Sequence, residues 1–329
     1  MAGPDVSINR RQWLLSAVES VYGTNRNPIE SNSGQAIRLL EPFNLDLGQD
    51  NIEQIGGLGT LGFSRPIATA RPAGVTFRTF IQGVPTSYST ALKPPAGELL
   101  RACGLLETFV SSNANGDPQY EYAPAGRVQS QCSVSMIANI DGQDTRFVGA
   151  MGNVNAILVG ASPGIFEFTM RGILETEVAT TRGTPVGLPS TTPPRWVGSG
   201  SIYVGSLQAV IENMNFNTNN KIFEQRASLA LSGSGLVKIL ITERTPGGSF
   251  DPEVSNPTSL NWLGIWRSTS GAAITVNLGV DRGNRFTMVM SQAIPKSVAW
   301  QDKEGLAVFG IDYQAYESAG NDDYKLIFS

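Results

Sequence analysis

TARPAGVTF (Thr69–Phe77) returns 173 residues later as TERTPGGSF (Thr242–Phe250), with Thr, Arg, Gly and Phe repeated at the same spacing. Carried back at that offset without a gap, the match adds Phe43/Phe216, Asn44/Asn217, Leu58/Leu231 and Gly62/Gly235, which makes eight identities in 35 positions. Ordinary residue usage gives about two. A second alignment, at an offset of 141, sets Gly164-Ile165 on Gly305-Leu306 and Phe168 on Phe309, so the second copy is shorter by 32 residues in its middle. Internal repeats dictate architecture, and this one predicts two related domains in one chain.

Length agrees. A chain of 329 residues exceeds what one hydrophobic core usually supports. The segment from Thr180 to Pro194 (TTRGTPVGLPSTTPP) has the Pro, Thr and Gly content of a linker. The expected division is an N-terminal arm over 1–36, a first domain over 37–179, a linker over 180–195 and a second domain over 196–329.

The periodicity is mostly that of strands. Phe43, Leu45 and Leu47 alternate with Asn44, Asp46 and Gly48, and Met214 and Phe216 alternate with Asn213, Asn215 and Asn217. That is the pattern of a half-buried strand. Val75 to Ile81, Val134 to Ile140 and Ile274 to Leu278 are strands by β-branched and aromatic content. Asn115-Gly116 and Asp141-Gly142 lie between such runs as hairpin signals, because the tight turn needs positive φ at both positions. Helix is scarce. Pro95 to Gly104 opens with Pro and closes on Gly, which predicts one short helix laying Leu99, Leu100 and Cys103 on a sheet. Trp13, Leu14, Ala17 and Val18 share helical spacing and predict a second helix before Gly23. Asn261 to Trp266 is too short to show whether the second copy keeps a helix of its own.

Composition narrows the function. The net charge of −4 argues against a binder held by phosphate contacts, which needs clustered Lys and Arg. Charged residues make up only 16% of the chain, which suggests a surface largely covered by partners. No segment approaches the ~18 apolar residues of a membrane span, and no basic run precedes an apolar one at the N-terminus, so synthesis in a cytoplasm is expected. Cys103 and Cys132 give no disulfide framework and read as free thiols. With no histidine in the chain, Ser-His-Asp and Cys-His arrangements and the common His-containing zinc sites are excluded. No phosphate loop, dinucleotide fingerprint or nucleophile elbow is present. Among the carboxylates, Asp141 with Asp144 and Asp322 with Asp323 are candidate acid/base pairs or calcium ligands, and both pairs read as solvated turn residues. No enzyme activity, cofactor or metal is expected.

Several segments carry a resemblance. Val21-Tyr22-Gly23-Thr24, PPAGELLRACGL (Pro94–Leu105), Asp141-Gly142 through Gly149-Ala150-Met151-Gly152, TERTPGGSFDPE (Thr242–Glu253) and the terminal DDYKLIF (Asp322–Phe328) resemble the major tail tube protein of long, non-contractile-tailed bacteriophages. The likeness spans nearly the whole chain and is most specific in PPAGELLRACGL and the terminal strand. Asn25-Arg26 departs from the family, which has an acidic turn there.

The resemblance implies a mainly β protein of two related tail-tube-like β-sandwich or barrel domains, each with at most one short helix. It implies a virion protein, made and assembled in the host cytoplasm, that polymerises into stacked rings forming a hollow tube for DNA. Six domains per ring are usual in such tubes, so two domains per chain imply a trimer. The implied partners are the chain itself, the tape measure protein, the tail terminator and the distal tail protein, with DNA passing through unbound and no membrane involved.

A conduit for a polyanion must not grip it. The amide and acidic faces of the opening strands, Asn44, Asp46, Asn213, Asn215 and Asn217, either line the lumen or face solvent or a neighbouring subunit. Inter-ring contacts are expected from the arm at Met1 to Gln12 or the loop at Gln82 to Lys93 (QGVPTSYSTALK). Trp13, Leu14 and Trp262 are either core residues or subunit contacts. Two rival readings are a two-domain β-sandwich binding module or adhesin, and a minor tail-tip or secretion-system tube component.

Overall fold

The computed structural model describes residues 11–28, 35–48, 51–52, 67–68, 71–160, 162–179, 185, 187–194, 200–226, 236–254 and 261–329. Of the expected linker, residues 180–184, 186 and 195 lie outside them, as do the first ten residues of the arm. The first half contains β1 (Gln12–Val18), β2 (Ala36–Ile37), β3 (Asn44–Leu47), β4 (Asn51–Ile52), β5 (Ile67–Ala68), β6 (Pro72–Phe80), α1 (Gly97–Ala102), β7 (Leu105–Val110), β8 (Gln119–Pro124), β9 (Val134–Ile140), β10 (Gln143–Val159) and β11 (Ile165–Ala179). The second contains β12 (Gly200–Val204), β13 (Leu207–Ala209), β14 (Ile211–Asn217), β15 (Asn220–Arg226), β16 (Leu236–Arg244), β17 (Gly247–Pro252), α2 (Trp262–Ser268), β18 (Ala272–Leu278), β19 (Phe286–Lys303), β20 (Leu306–Tyr316) and β21 (Lys325–Phe328). The fold is mainly β, and every ladder is antiparallel.

The repeat is visible in the pairing. In the first half β1 pairs β9, β9 pairs β10, β10 pairs β11, β11 pairs β6 and β6 pairs β3. In the second, β12, β18, β19, β20, β17 and β14 pair in the same succession. A short hairpin, β4–β5 or β15–β16, follows the opening strand of each copy. α2 lies between β17 and β18 as α1 lies between β6 and β9, so the second copy keeps its helix. The extra length of the first copy is largely the β7–β8 hairpin, which docks through β8 on β21.

Register refines the alignment. Phe77 faces Phe168 and Phe250 faces Ile311, so Phe168 corresponds to Ile311, two residues beyond the Phe309 that residue matching selected. Asn44 faces Thr76, whose counterpart Ser249 lies opposite Asn215, so Asn44 corresponds to Asn215 rather than Asn217. A slip of two leaves each side chain on its own face, which is why the sequence pattern does not detect it.

The helix expected at Trp13 to Val18 is strand β1 instead. All seven of its residues pair with β9, and Leu14 and Leu15 are buried on opposite faces, in separate apolar clusters. Long-range pairing of an apolar run overrides its local spacing. The Pro95 to Gly104 helix forms over a shorter span, Gly97–Ala102, burying Leu99, Leu100 and Cys103 as expected, with Gly104 at φ 81° just beyond it. Asp141 and Gly142, at φ 47° and 97°, make the tight β9–β10 turn.

The two halves share one core. Phe166 of the first meets Phe286 and Phe328 of the second, at ring separations of 5.6 and 6.4 Å, and Phe328 packs on Tyr122. The halves also share a sheet, because β10 pairs β14 from Asn155↔Asn217 to Val159↔Asn213. Buried polar groups extend this seam. Asn220 donates to the carbonyls of Cys103 and Gly152 at 2.8 and 2.9 Å, and the Asn153 side chain accepts from Thr218.

Two acidic residues near the first helix behave in opposite ways. Glu19 is buried and accepts from Gly23 N–H, Gly149 N–H, Ser133 Oγ and Ser135 Oγ at 2.6–2.8 Å. The acceptance needs Gly149, which is at φ 63° in the β10 bulge and where a Cβ would stand 2.6 Å from Tyr22 Oη. Tyr22 and Gly149, from two of the segments that carry the resemblance, therefore meet. Glu98 has one oxygen without a hydrogen-bond partner, and burial pushes its carboxyl up to about 7 against the pull of Arg101 and the Val18 backbone.

Because the raised carboxyl favours the neutral folded form, the contribution of Glu98 to stability is fully present below about pH 4.5 and is lost as pH rises from there through about 7. With no histidine in the chain, little else titrates in that window. Thermal unfolding across pH 4 to 8 should show this decline in the wild type and lose it in Glu98→Gln, which at pH 8 should be the more stable by about 1–3 kcal/mol.

Candidate functional site

Eight strands lie side by side in the order β3, β6, β11, β10, β14, β17, β20, β19. Along this ribbon Phe77, Phe168, Val154, Ala156, Phe216, Met214, Phe250 and Ile311 face the core, each at most 3% exposed. Successive strand residues point to opposite faces, so their neighbours fall on the other side. That side holds Asn44, Asp46, Asn213, Asn215 and Asn217. The first three are exposed and the last two half-buried.

Asp46, Asn213, Asn215 and Asn217 each have a hydrogen-bonded side chain. Asp46 accepts from Arg171 Nη1 at 2.9 Å across Gly74 of the intervening strand, where a Cβ would stand 3.0 Å from the same nitrogen. Asn213 donates to Asp251 at 2.8 Å, Asn215 exchanges hydrogen bonds with Ser249, and Asn217 accepts from the Asn219 backbone N–H.

The same face carries three cations that sequence reasoning did not place there, and each is held by carboxylates. Arg78 pairs Glu167 at 2.6 Å and Glu41 at 3.3 Å, Arg171 pairs Asp46, and Lys303 pairs Glu212 and Asp251. Burial works against the charge of Asp251, but the Asn213 donors and the Lys303 ammonium outweigh it and hold the carboxyl below its usual range. The face presents amides and neutralised or surplus acids. The missed residues had a signal: Arg78, Glu167 and Asp251 each adjoin a core phenylalanine, so period-two alternation puts them opposite it.

The readings of two carboxylates are corrected. Asp144 is not a solvated turn residue but fully buried, bonded by Asn139 Nδ2 at 2.7 Å and ion-paired with Arg146. Asp323 is likewise buried, in a two-point pair with Arg244 that ties TERTPGGSFDPE to the terminal strand. Leu14 and Trp262 are core residues, and Trp13 is half-buried against a small cluster. The Gln82 to Lys93 loop is partly pinned, with Gln82, Gly83, Val84 and Tyr88 buried and Val84 N–H bonded to Gly283 O. The cysteines are free, and no group of ligating side chains suited to a metal occurs among the described residues.

No family model and no curated protein matches this chain.

Exposed ion pairs contribute at most about 1 kcal/mol, whereas stripping a buried carboxylate from four donors costs about 3 kcal/mol or more. Asp46→Asn should therefore leave the unfolding midpoint in urea nearly unchanged, while Glu19→Ala should lower it sharply.

Proposed function

We propose that this chain is the major tail tube protein of a long, non-contractile-tailed phage. Chains associate side by side into rings of three, rings stack into a hollow tube, and DNA leaves the capsid through its lumen. Tape measure, tail terminator and distal tail proteins are the partners of this reading, and the virion tail is its location. The single observation that supports it most is the doubled sheet: β10 joins β14 so that one chain is already two adjacent copies of the same unit. With the polar face turned inward, the lumen meets DNA with amides and carboxylates, and each of its three cations is already paired. A wall of that kind repels or ignores a duplex carrying one charge per ~1.7 Å of axis.

Strand spacing sets the bore. Three chains of eight strands at about 4.8 Å give a backbone diameter of about 37 Å before tilt, which widens it.

Electron microscopy of the purified protein, alone and with a tail-tip complex, tests the reading. Threefold rings of six lobes around an open channel are expected. Dispersed monomers in both conditions would favour a binding module, and low copy number in virions would favour a tip component. Asn213→Lys, on the seam inside the chain, should assemble normally yet retain duplex DNA in a salt-dependent way on filters. Equal DNA retention by wild type and variant would remove this face from the lumen.

A further inference from the structure

The seam inside the chain has an unfilled counterpart at its ends. β10 uses its segment Asn155–Val159 to pair with β14, whereas β3, the counterpart of β14, pairs only with β6 among the described residues. At the far end, the counterpart of Asn155–Val159 is Ala299–Lys303 of β19, which among the described residues pairs only with β20. These correspondences follow from the ladders alone: Phe168 matches Ile311, so Glu167 matches Gly310, and their partners Asn155 and Ala299 match.

Burial tells the same story. Ala156 is 1% exposed at the internal seam, while its counterpart Trp300 is 62% exposed although it points to the core side and packs on Phe309 at 4.6 Å. Phe216 is 1% exposed, while its counterpart Leu45 is half-buried. A strand edge with an open row of backbone groups and an uncovered tryptophan is a template for another strand.

We infer that the Ala299–Lys303 edge of β19 pairs antiparallel with β3 of a second copy of this chain, in the register that the internal seam dictates. Asn155↔Asn217, Ala156↔Phe216 and Ile157↔Asn215 become Ala299↔Asp46, Trp300↔Leu45 and Gln301↔Asn44 between chains. Trp300 then enters the joined core beside Leu45, and the polar faces of the two copies run on without a break. The contact is head-to-tail, so it closes into a ring or extends as a filament. The inference rests on the self-assembly part of the reading above, not on what passes through the ring.

Directly opposed residues lie within disulfide reach. Ala299→Cys and Asp46→Cys chains, mixed and mildly oxidised, should give linked dimers, and either alone should give none. Ala299→Cys mixed with Leu45→Cys, one residue out of register, should not link. Trp300→Glu, checked for wild-type circular dichroism, should stay monomeric at concentrations where the wild type associates. Rings in the microscope without the Ala299–Asp46 link would overturn this register and leave the tube reading standing. Linked chains that never form rings would support the contact and sink the tube. Monomers with no link would overturn both.

Discussion

Everything in this molecule depends on the backbone hydrogen bonds between Asn155–Val159 and Asn213–Asn217. They turn two copies of a small β unit into one sheet, and they oblige the apolar side chains on one face of it to share a core. Ala156, Phe216, Leu158 and Met214 could not be buried at that boundary if either strand ended in water. An unpaired buried backbone group there would cost about 1–3 kcal/mol, so the seam is specified as strongly as any ladder inside a copy. The Asn153, Thr218 and Asn220 side chains extend it past the strand ends, holding the start of the β15–β16 hairpin against β10.

The duplication could be read in the sequence because glycine and phenylalanine mark positions that little else can fill. Gly74 lets Arg171 reach Asp46, and Gly247 lies where a Cβ would stand 2.4 Å from the Tyr313 carbonyl. The polar face was equally legible, since Asn44, Asp46, Asn213, Asn215 and Asn217 alternate with residues that are plainly apolar. The register was not, because a two-residue slip preserves alternation. Nor was β1, whose Trp13-Leu14-Leu15 run is apolar on both faces and so carries no period. Asp144 and Asp323 escaped notice for a different reason. Each lies in or beside a turn, where carboxylates are common, and only the packing and partners brought by folding, Asn139 for Asp144 and the distant Arg244 for Asp323, reveal that they are internal.

The arrangement of charge on the polar face follows from the same geometry. Arg78 lies across one strand boundary from Glu167, while Arg171 and Lys303 reach over an intervening strand to Asp46 and Asp251, and each pairs there rather than projecting freely. Pairing at the surface adds little stability. Its effect is on the field: a cation beside a carboxylate presents a dipole to anything that approaches, and a dipole decays with distance faster than a lone charge. A protein can thus keep arginine for its reach and packing while its face stays inert toward a polyanion.

Covalent continuity through residues 180–199 changes the economics of any assembly built from this chain. In a ring of two-unit subunits, every other lateral seam forms during folding, at an effective concentration set by the connecting segment and independent of how dilute the protein is. Only the alternate seams must be made by collision, so the loss of translational and rotational freedom falls on half as many bodies. Those seams are also the only ones at which such a ring can come apart.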